Sequence, residues 1–263
     1  MKIQVGNTWL NVEDRGRGTP LLLIHGFPLN LEMWRPQIES LSRNYRVIAI
    51  DLRGHGQSPP TPGPYTMDLL ADDCAVVMVA LGIEEPVAVC GLSMGGYISF
   101  ALFRRYPQLF SGLILAATRA GGDTSQARSN REKAIVDTKE LGARPVLDTM
   151  LKILLAPSTY QTRPDLVKNL EEILSPTSEE GIVASLEGMK ERPDSTGMLG
   201  QITVPTLIFH GADDQIIALT ESETIQSGIP NSRLEIIPDA GHMVNLEQPE
   251  IFNSSTENFL ASI

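Results

Sequence analysis

The stretch PVAVCGLSMGGY at residues 86–97 decides the fold, because it joins an apolar run to a helical pattern through Gly-x-Ser-x-Gly. The run before Gly91 is typical of a buried strand, and a helix is predicted over 98–106, ended by Pro107. A serine on so sharp a turn adopts strained backbone angles, and side chains two residues to either side would collide. The pattern therefore predicts that Ser93 stands above a sheet, at a helix N-terminus whose positive potential favours developing negative charge.

On both sides of this stretch, short apolar runs alternate with helical patterns. Nearly continuous Val, Ile and Leu are expected of parallel strands covered on both faces, and the alternation predicts right-handed crossovers between them. Parallel strands are predicted at 21–24, 46–50, 86–90, 113–116, 204–209 and 234–237, and an antiparallel edge pair near 3–5 and 10–13. The clearest helix is predicted over 66–81, where apolar residues recur every three or four positions and Gly82 follows. The fold class is therefore α/β, with a mostly parallel sheet of eight strands flanked by helices.

The strand rhythm stops after residue 118 and resumes at about residue 201. The intervening segment is rich in charged residues and in helical patterns, with amphipathic stretches at 147–155 and 166–174. We expect a core formed by residues 1–118 and 201–263, and a helical cap formed by residues 119–200. Apolar residues of this cap, such as Met150 and Leu154, either line a pocket or pack on the core.

A serine hydroxyl needs a base to become a nucleophile at neutral pH, and four histidines are available. His242 is the preferred base, since it lies in a loop after the last strand, and open α/β sheets place their sites at the carboxyl ends of strands. His25, His55 and His210 are interpreted as structural. A carboxylate should orient the base, and the residues alone leave Asp213 and Asp214 open, since both follow a buried strand.

An acyl-transfer site also needs hydrogen-bond donors for the oxyanion. The strand at 21–24 leads into a loop containing Gly26, and the backbone N–H of Phe27 is the first predicted donor. The backbone N–H of Met94, the residue after the nucleophile, is the second.

The chain resembles the α/β-hydrolase family. The resemblance rests on HGFPL at 25–29, DLRGHGQS at 51–58, GLSMGG at 91–96, HGADDQII at 210–217 and AGHMVNLEQPE at 240–250. In that family the carboxylate stands three residues after the glycine of the HGxxD block, which implies Asp214. The implied triad is Ser93, Asp214 and His242, in the chain order of this architecture. Within the family, the chain is most similar to 3-oxoadipate enol-lactonases and related small carboxylesterases.

The resemblance implies a serine hydrolase that cleaves esters or lactones through an acyl-enzyme. Two alternatives carry the same motifs: a cofactor-free perhydrolase or acyl transferase, and a small-molecule receptor with this fold. An enol-lactone substrate carries a carboxylate, which Arg119 or Arg128 can bind unless these side chains merely face solvent.

Composition excludes several other function classes. The net charge is −11, which argues against a nucleic-acid partner. No apolar stretch approaches the ~20 residues of a membrane span, and the N-terminus lacks the apolar segment of a signal peptide. Cys74 and Cys90 are expected to be buried, reduced residues of a cytoplasmic protein. No metal or nucleotide cofactor is expected, and the sequence favours no oligomeric state.

Overall fold

Eight strands form one sheet in the computed structural model, which describes residues 1–263. The strands are β1 (Lys2–Val5), β2 (Thr8–Gly16), β3 (Pro20–Ile24), β4 (Arg46–Ile50), β5 (Val87–Leu92), β6 (Phe110–Ala116), β7 (Thr206–Gly211) and β8 (Ser232–Ile237). They lie in the order β1-β2-β4-β3-β5-β6-β7-β8. The β1–β2 and β2–β4 pairs are antiparallel, and every other pair is parallel. The predicted fold class and the antiparallel edge are thus confirmed.

Helices cover both faces of the sheet. They are α1 (Arg35–Leu41), α2 (Met67–Ala80), α3 (Met94–Arg105), α4 (Ser125–Leu141), α5 (Arg144–Leu151), α6 (Thr159–Thr162), α7 (Pro164–Leu174), α8 (Glu179–Lys190), α9 (Leu219–Gly228), α10 (Val244–Glu247) and α11 (Pro249–Leu260). In addition, 3₁₀ helices span Leu31–Trp34, Pro107–Leu109 and Thr196–Gln201. None of the helices combines the length and the apolar character needed to cross a bilayer.

The hydrophobic core has two halves, one on each face of the sheet. Alternate residues of β3 enter different halves: Leu22 and Ile24 pack with α2 and α3, whereas Leu21 and Leu23 pack with α1 and α11. This explains why the central strands are continuously apolar rather than alternating in polarity.

The sequence patterns predicted the bounds of most strands and helices to within a few residues. The strand at 46–50 is found at its predicted bounds, and α2 begins after Thr66, whose hydroxyl accepts a hydrogen bond from the N–H of Leu69. The strand predicted at 86–90 continues to Leu92, because its pairing with β6 persists to that residue. The following helix consequently begins at Met94, directly after the turn at Ser93.

The amphipathic stretch at 147–155 is helical only as far as Leu151. The chain then turns, because the hydroxyl of Tyr160 donates to the carbonyl of Leu151 and accepts from the N–H of Leu155. Five consecutive helices, α4 to α8, occupy the chain between β6 and β7. No sheet strand falls within this region.

Candidate active site

Ser93 occupies the sharp turn between β5 and α3, with φ 55° and ψ −112°. A β-carbon added to Gly91 would lie 2.3 Å from the carbonyl oxygen of Gly95, and one added to Gly95 would lie 2.2 Å from that of Ile24. The glycines are therefore required by close backbone approach on both sides of the serine. The strained serine backbone is held by its N–H, which donates to Ala116, and by its carbonyl, which accepts from the Thr118 hydroxyl.

His242 and Asp214 form a buried hydrogen-bonded pair. Nδ1 of His242 lies 2.9 Å from Oδ2 of Asp214, while Oδ1 accepts from the backbone N–H groups of Ile216 and Ile217. Burial alone would raise the pKa of the Asp214 carboxyl, but the neighbouring His242 and the two N–H donors outweigh it and leave that pKa below its usual value. An ionised Asp214 fixes the proton of the ring on Nδ1, which leaves Nε2 of His242 able to take a proton. Asp213, the other candidate, is exposed.

The two predicted oxyanion donors flank the serine. Neither the N–H of Phe27 nor that of Met94 donates to an acceptor within the protein. The loop carrying Phe27 lies against the turn, since a β-carbon on Gly26 would come 3.3 Å from Cβ of Ser93. These unpaired donors can stabilise an oxyanion formed at Ser93.

The other three histidines make hydrogen bonds within the fold. Nε2 of His25 accepts from the N–H of Leu52, so Nδ1 carries the proton and donates to the carbonyl of Gly26 at 2.8 Å. Burial lowers the pKa of His25 to about 4. His55 lies beside it with ring centroids 5.1 Å apart, and burial lowers its pKa to about 3. His210 contacts the hydroxyl of Ser222 at 3.0 Å.

A cleft of about 600 Å³ contains both Ser93 and His242 in its wall. That volume is within the range of small-molecule sites, roughly 300–1,000 Å³. Its apolar wall combines residues of two loops that follow strands with residues of the helices between β6 and β7: Phe27, Ala127, Ala134, Pro145, Val146, Met150, Leu186, Met189 and Ile216. Met150 therefore lines the cleft, whereas Leu154 is fully buried in the core. Helices α4, α5 and α8 thus form one side of the cavity that contains the serine.

The cleft also has charged residues in its wall. Arg131 pairs with Asp123, and Lys133 pairs with Asp137. Arg119 also lines the cleft, but no carboxylate lies within ion-pairing distance of it, and its nearest polar partner is the hydroxyl of Tyr97 at 3.4 Å. Arg128 is exposed and does not line the cleft. Arg119 is thus a cation of the cleft wall that forms no direct ion pair, although Glu221 and Asp123 act on it electrostatically.

The side chains that usually ligate metal ions are not clustered in this structure. No group of three or more His, Cys, Asp or Glu side chains is arranged to hold one. Cys74 and Cys90 are buried and unpaired with each other, as predicted, and burial raises the pKa of both thiols.

Sequence reasoning missed Glu247, which was quoted within a motif but given no role. Its side chain is almost completely buried beside the His242 loop and accepts three hydrogen bonds. The sequence gives little signal for it, because α10 reads Val-Asn-Leu-Glu and only the fold shows that all four residues are buried.

Comparisons with known proteins identify the family to which this fold belongs. A family model described as alpha/beta hydrolase fold matches residues 19–249. The chain is 32% identical over 237 residues to 3-oxoadipate enol-lactonase 2 of Acinetobacter baylyi, covering 90% of this chain and 86% of that protein. A thermophilic esterase from Thermogutta terrifontis has a similar structure, with a TM-score of 0.95, 38% identity and coverage of 100% of this chain and 98% of the other. The enol-lactonase from Burkholderia xenovorans LB400 gives a TM-score of 0.92 at 26% identity, covering 99% of this chain and 100% of the other.

Proposed function

Because the chain belongs to the α/β-hydrolase family, we propose that it is a serine hydrolase that cleaves carboxylic esters or lactones. The observation that carries this proposal is the shared cleft: Ser93, at φ 55°, and His242, bonded to Asp214, line the same cavity. Nucleophile, orienting carboxylate and base are thus supplied by three loops, at the carboxyl ends of β5, β7 and β8 respectively.

In the proposed reaction, Ser93 Oγ attacks the carbonyl carbon while Nε2 of His242 takes its proton. Asp214 holds the imidazole in position and stabilises the imidazolium. The N–H groups of Phe27 and Met94 donate to the oxyanion of the tetrahedral intermediate. His242 then protonates the departing alkoxide, leaving an acyl group on Ser93, and water releases that group by the same steps in a second half-reaction.

The composition of the cleft supports a substrate with an apolar body and an acidic end. Met150, Leu186 and Met189 offer apolar contacts, and Arg119 offers a guanidinium that forms no ion pair within the protein. An enol-lactonase and an esterase are among the similar proteins, which supports cyclic and open-chain esters alike. Residues 119–200 are accordingly proposed as a cap that sets the size and polarity of the pocket.

The decisive experiment combines hydrolysis of p-nitrophenyl esters with labelling by a fluorophosphonate. The wild-type protein should turn over the esters and gain one phosphonyl group, which peptide mass spectrometry should locate at Ser93. Ser93→Ala should lose both properties, whereas Ser129→Ala, at an exposed serine of α4, should keep them. Wild-type rates in Ser93→Ala would refute the proposal. Binding without turnover in the wild type would instead indicate a receptor.

A further inference from the structure

Glu247 is a buried carboxylate that the proposed chemistry does not use. It ends α10, five residues after His242, and its exposed fraction is 2%. Oε2 accepts from the N–H of Gly241 at 2.7 Å. Oε1 accepts from the N–H of Ala156 at 2.8 Å and from the hydroxyl of Thr159 at 2.6 Å. One carboxylate therefore joins the loop that carries the base to a segment of the cap.

The backbone of His242 is anchored on both sides by this arrangement. On one side, the N–H of Gly241 donates to Glu247. On the other, the N–H of Met243 donates to the carbonyl of Leu154 at 3.0 Å. The two backbones are in direct contact, because a β-carbon on Gly241 would lie 2.4 Å from the nitrogen of Ala156. Residues 154–159 are thus held directly against the residues that flank the base.

The same cap segment also reaches the loop of the acid. The side-chain amide of Gln215, the residue after Asp214, donates to the carbonyl of Leu155 at 3.0 Å. Residues 154–159 therefore contact the loops of both triad partners, and the Arg163 guanidinium adds a further bond to the backbone carbonyl of Glu247 at 2.7 Å.

A carboxylate in this position is costly unless its donors are in place. Burial raises the pKa of Glu247, although the three donors oppose that effect. Loss of one buried charged hydrogen bond leaves an uncompensated group and forces local rearrangement. The site consequently has one favourable geometry, in which the loop and the cap segment are held at fixed spacing.

We propose that Glu247 is a positioning residue for His242, which holds the base in line between Asp214 and Ser93 by tying its loop to the cap. The inference rests on the proposed roles of Ser93 and His242. It predicts that a change on the cap side alone, at Thr159, alters turnover although Thr159 does not line the cleft.

Four variants test this role. Glu247→Gln keeps the shape, but its single amide oxygen cannot accept from both Gly241 and Ala156. Thr159→Val removes one donor without changing charge, and Thr159→Ser restores the hydroxyl. Glu250→Gln is the matched control, since it makes the same chemical change at an exposed position of α11. We expect kcat to fall about ten- to a hundredfold in Glu247→Gln, less in Thr159→Val, and not in Thr159→Ser or Glu250→Gln, with KM little changed.

A second readout does not depend on hydrolysis. The Nδ1 proton of His242, bonded to Asp214, should give a downfield proton NMR signal, which His242→Asn identifies by its loss. That signal should shift or broaden in Glu247→Gln and in Thr159→Val. Wild-type kcat and an unchanged signal in both variants, with only a lower melting temperature, would overturn the inference. Failure of the proposed function would appear separately, as ester hydrolysis that survives Ser93→Ala.

Discussion

Oδ2 of Asp214 lies 2.9 Å from Nδ1 of His242, and both side chains are excluded from water, with exposed fractions of 0% and 1%. The second oxygen of the carboxylate is fixed by the N–H groups of Ile216 and Ile217. The orientation of the imidazole is therefore set by a group that is itself held rigidly. Because His242 lies in the cleft wall with Ser93 whereas Asp214 is buried behind it, the carboxylate should matter for turnover rather than for substrate binding.

Asp214→Asn should lower kcat by about 10⁴-fold, the cost measured for this change in serine proteases, since an amide favours the wrong ring tautomer. Asp213→Asn is the matched control at the adjacent, exposed position and should keep nearly wild-type kcat. Steady-state hydrolysis of p-nitrophenyl acetate by both variants provides the measurement. Equal losses at the two positions would mean that Asp214 has no special role.

Gly26→Ala should slow turnover by displacing the loop that carries the N–H of Phe27. The new β-carbon would lie 3.2 Å from the carbonyl of Leu92 and 3.3 Å from Cβ of Ser93, so the loop must shift away. We expect kcat to fall. The decrease should not exceed about 10²–10³-fold, which is the cost of losing one oxyanion donor. Gly200→Ala, where a β-carbon meets open space, serves as the control. An unchanged kcat in Gly26→Ala would remove Phe27 from the proposed oxyanion site.

The parts of the fold that could be predicted from sequence are those determined by neighbouring residues. The apolar run before Gly91 and the glycines around Ser93 are sufficient to predict strand, turn and helix, because Gly91 avoids a collision within the turn and Gly95 avoids one with β3. The choice of Asp214 over Asp213 was different. It needed the family pattern, since the distinguishing contacts come from the N–H groups of residues 216 and 217 in the folded loop.

Contacts between distant segments were not predictable from the sequence. The amphipathic pattern at 147–155 does not indicate that the helix stops at Leu151, because the hydroxyl that binds the turn belongs to Tyr160. The role of Glu247 was equally hidden, since two of its three donors lie about ninety residues away in the chain, at Ala156 and Thr159. Hydrophobic periodicity indicates which face of a helix or strand is buried, but not which polar groups from distant segments form hydrogen bonds there.

His25→Gln should change how stability depends on pH. The pKa of His25 is about 4 in the folded protein and about 6.5 in an unfolded chain, so between these values only the unfolded chain binds the proton. The contribution of His25 to the free energy of unfolding is therefore complete above pH ~6.5 and is lost as the pH falls toward 4. In urea titrations, the free-energy difference between wild type and variant should shrink from about pH 6 to 4.5, with a slope that approaches but does not exceed about 1.4 kcal/mol per pH unit. A difference that stays constant across this range would contradict a neutral, buried His25.

Arg119→Gln should change substrate preference rather than general activity, because the guanidinium lines the cleft without a carboxylate partner. A useful pair of substrates is p-nitrophenyl hydrogen glutarate and p-nitrophenyl pentanoate, which have the same acyl length but differ in a terminal carboxylate. A charged hydrogen bond contributes about 1.5 kcal/mol, so kcat/KM for the acidic ester should fall about tenfold, with little change for the neutral one. Arg128→Gln removes the same charge at an exposed position outside the cleft and should leave both values unchanged, which separates a local contact from the general field of the protein. If Arg119→Gln slowed both esters equally, the guanidinium would support the shape of the cleft rather than recognise an acidic substrate.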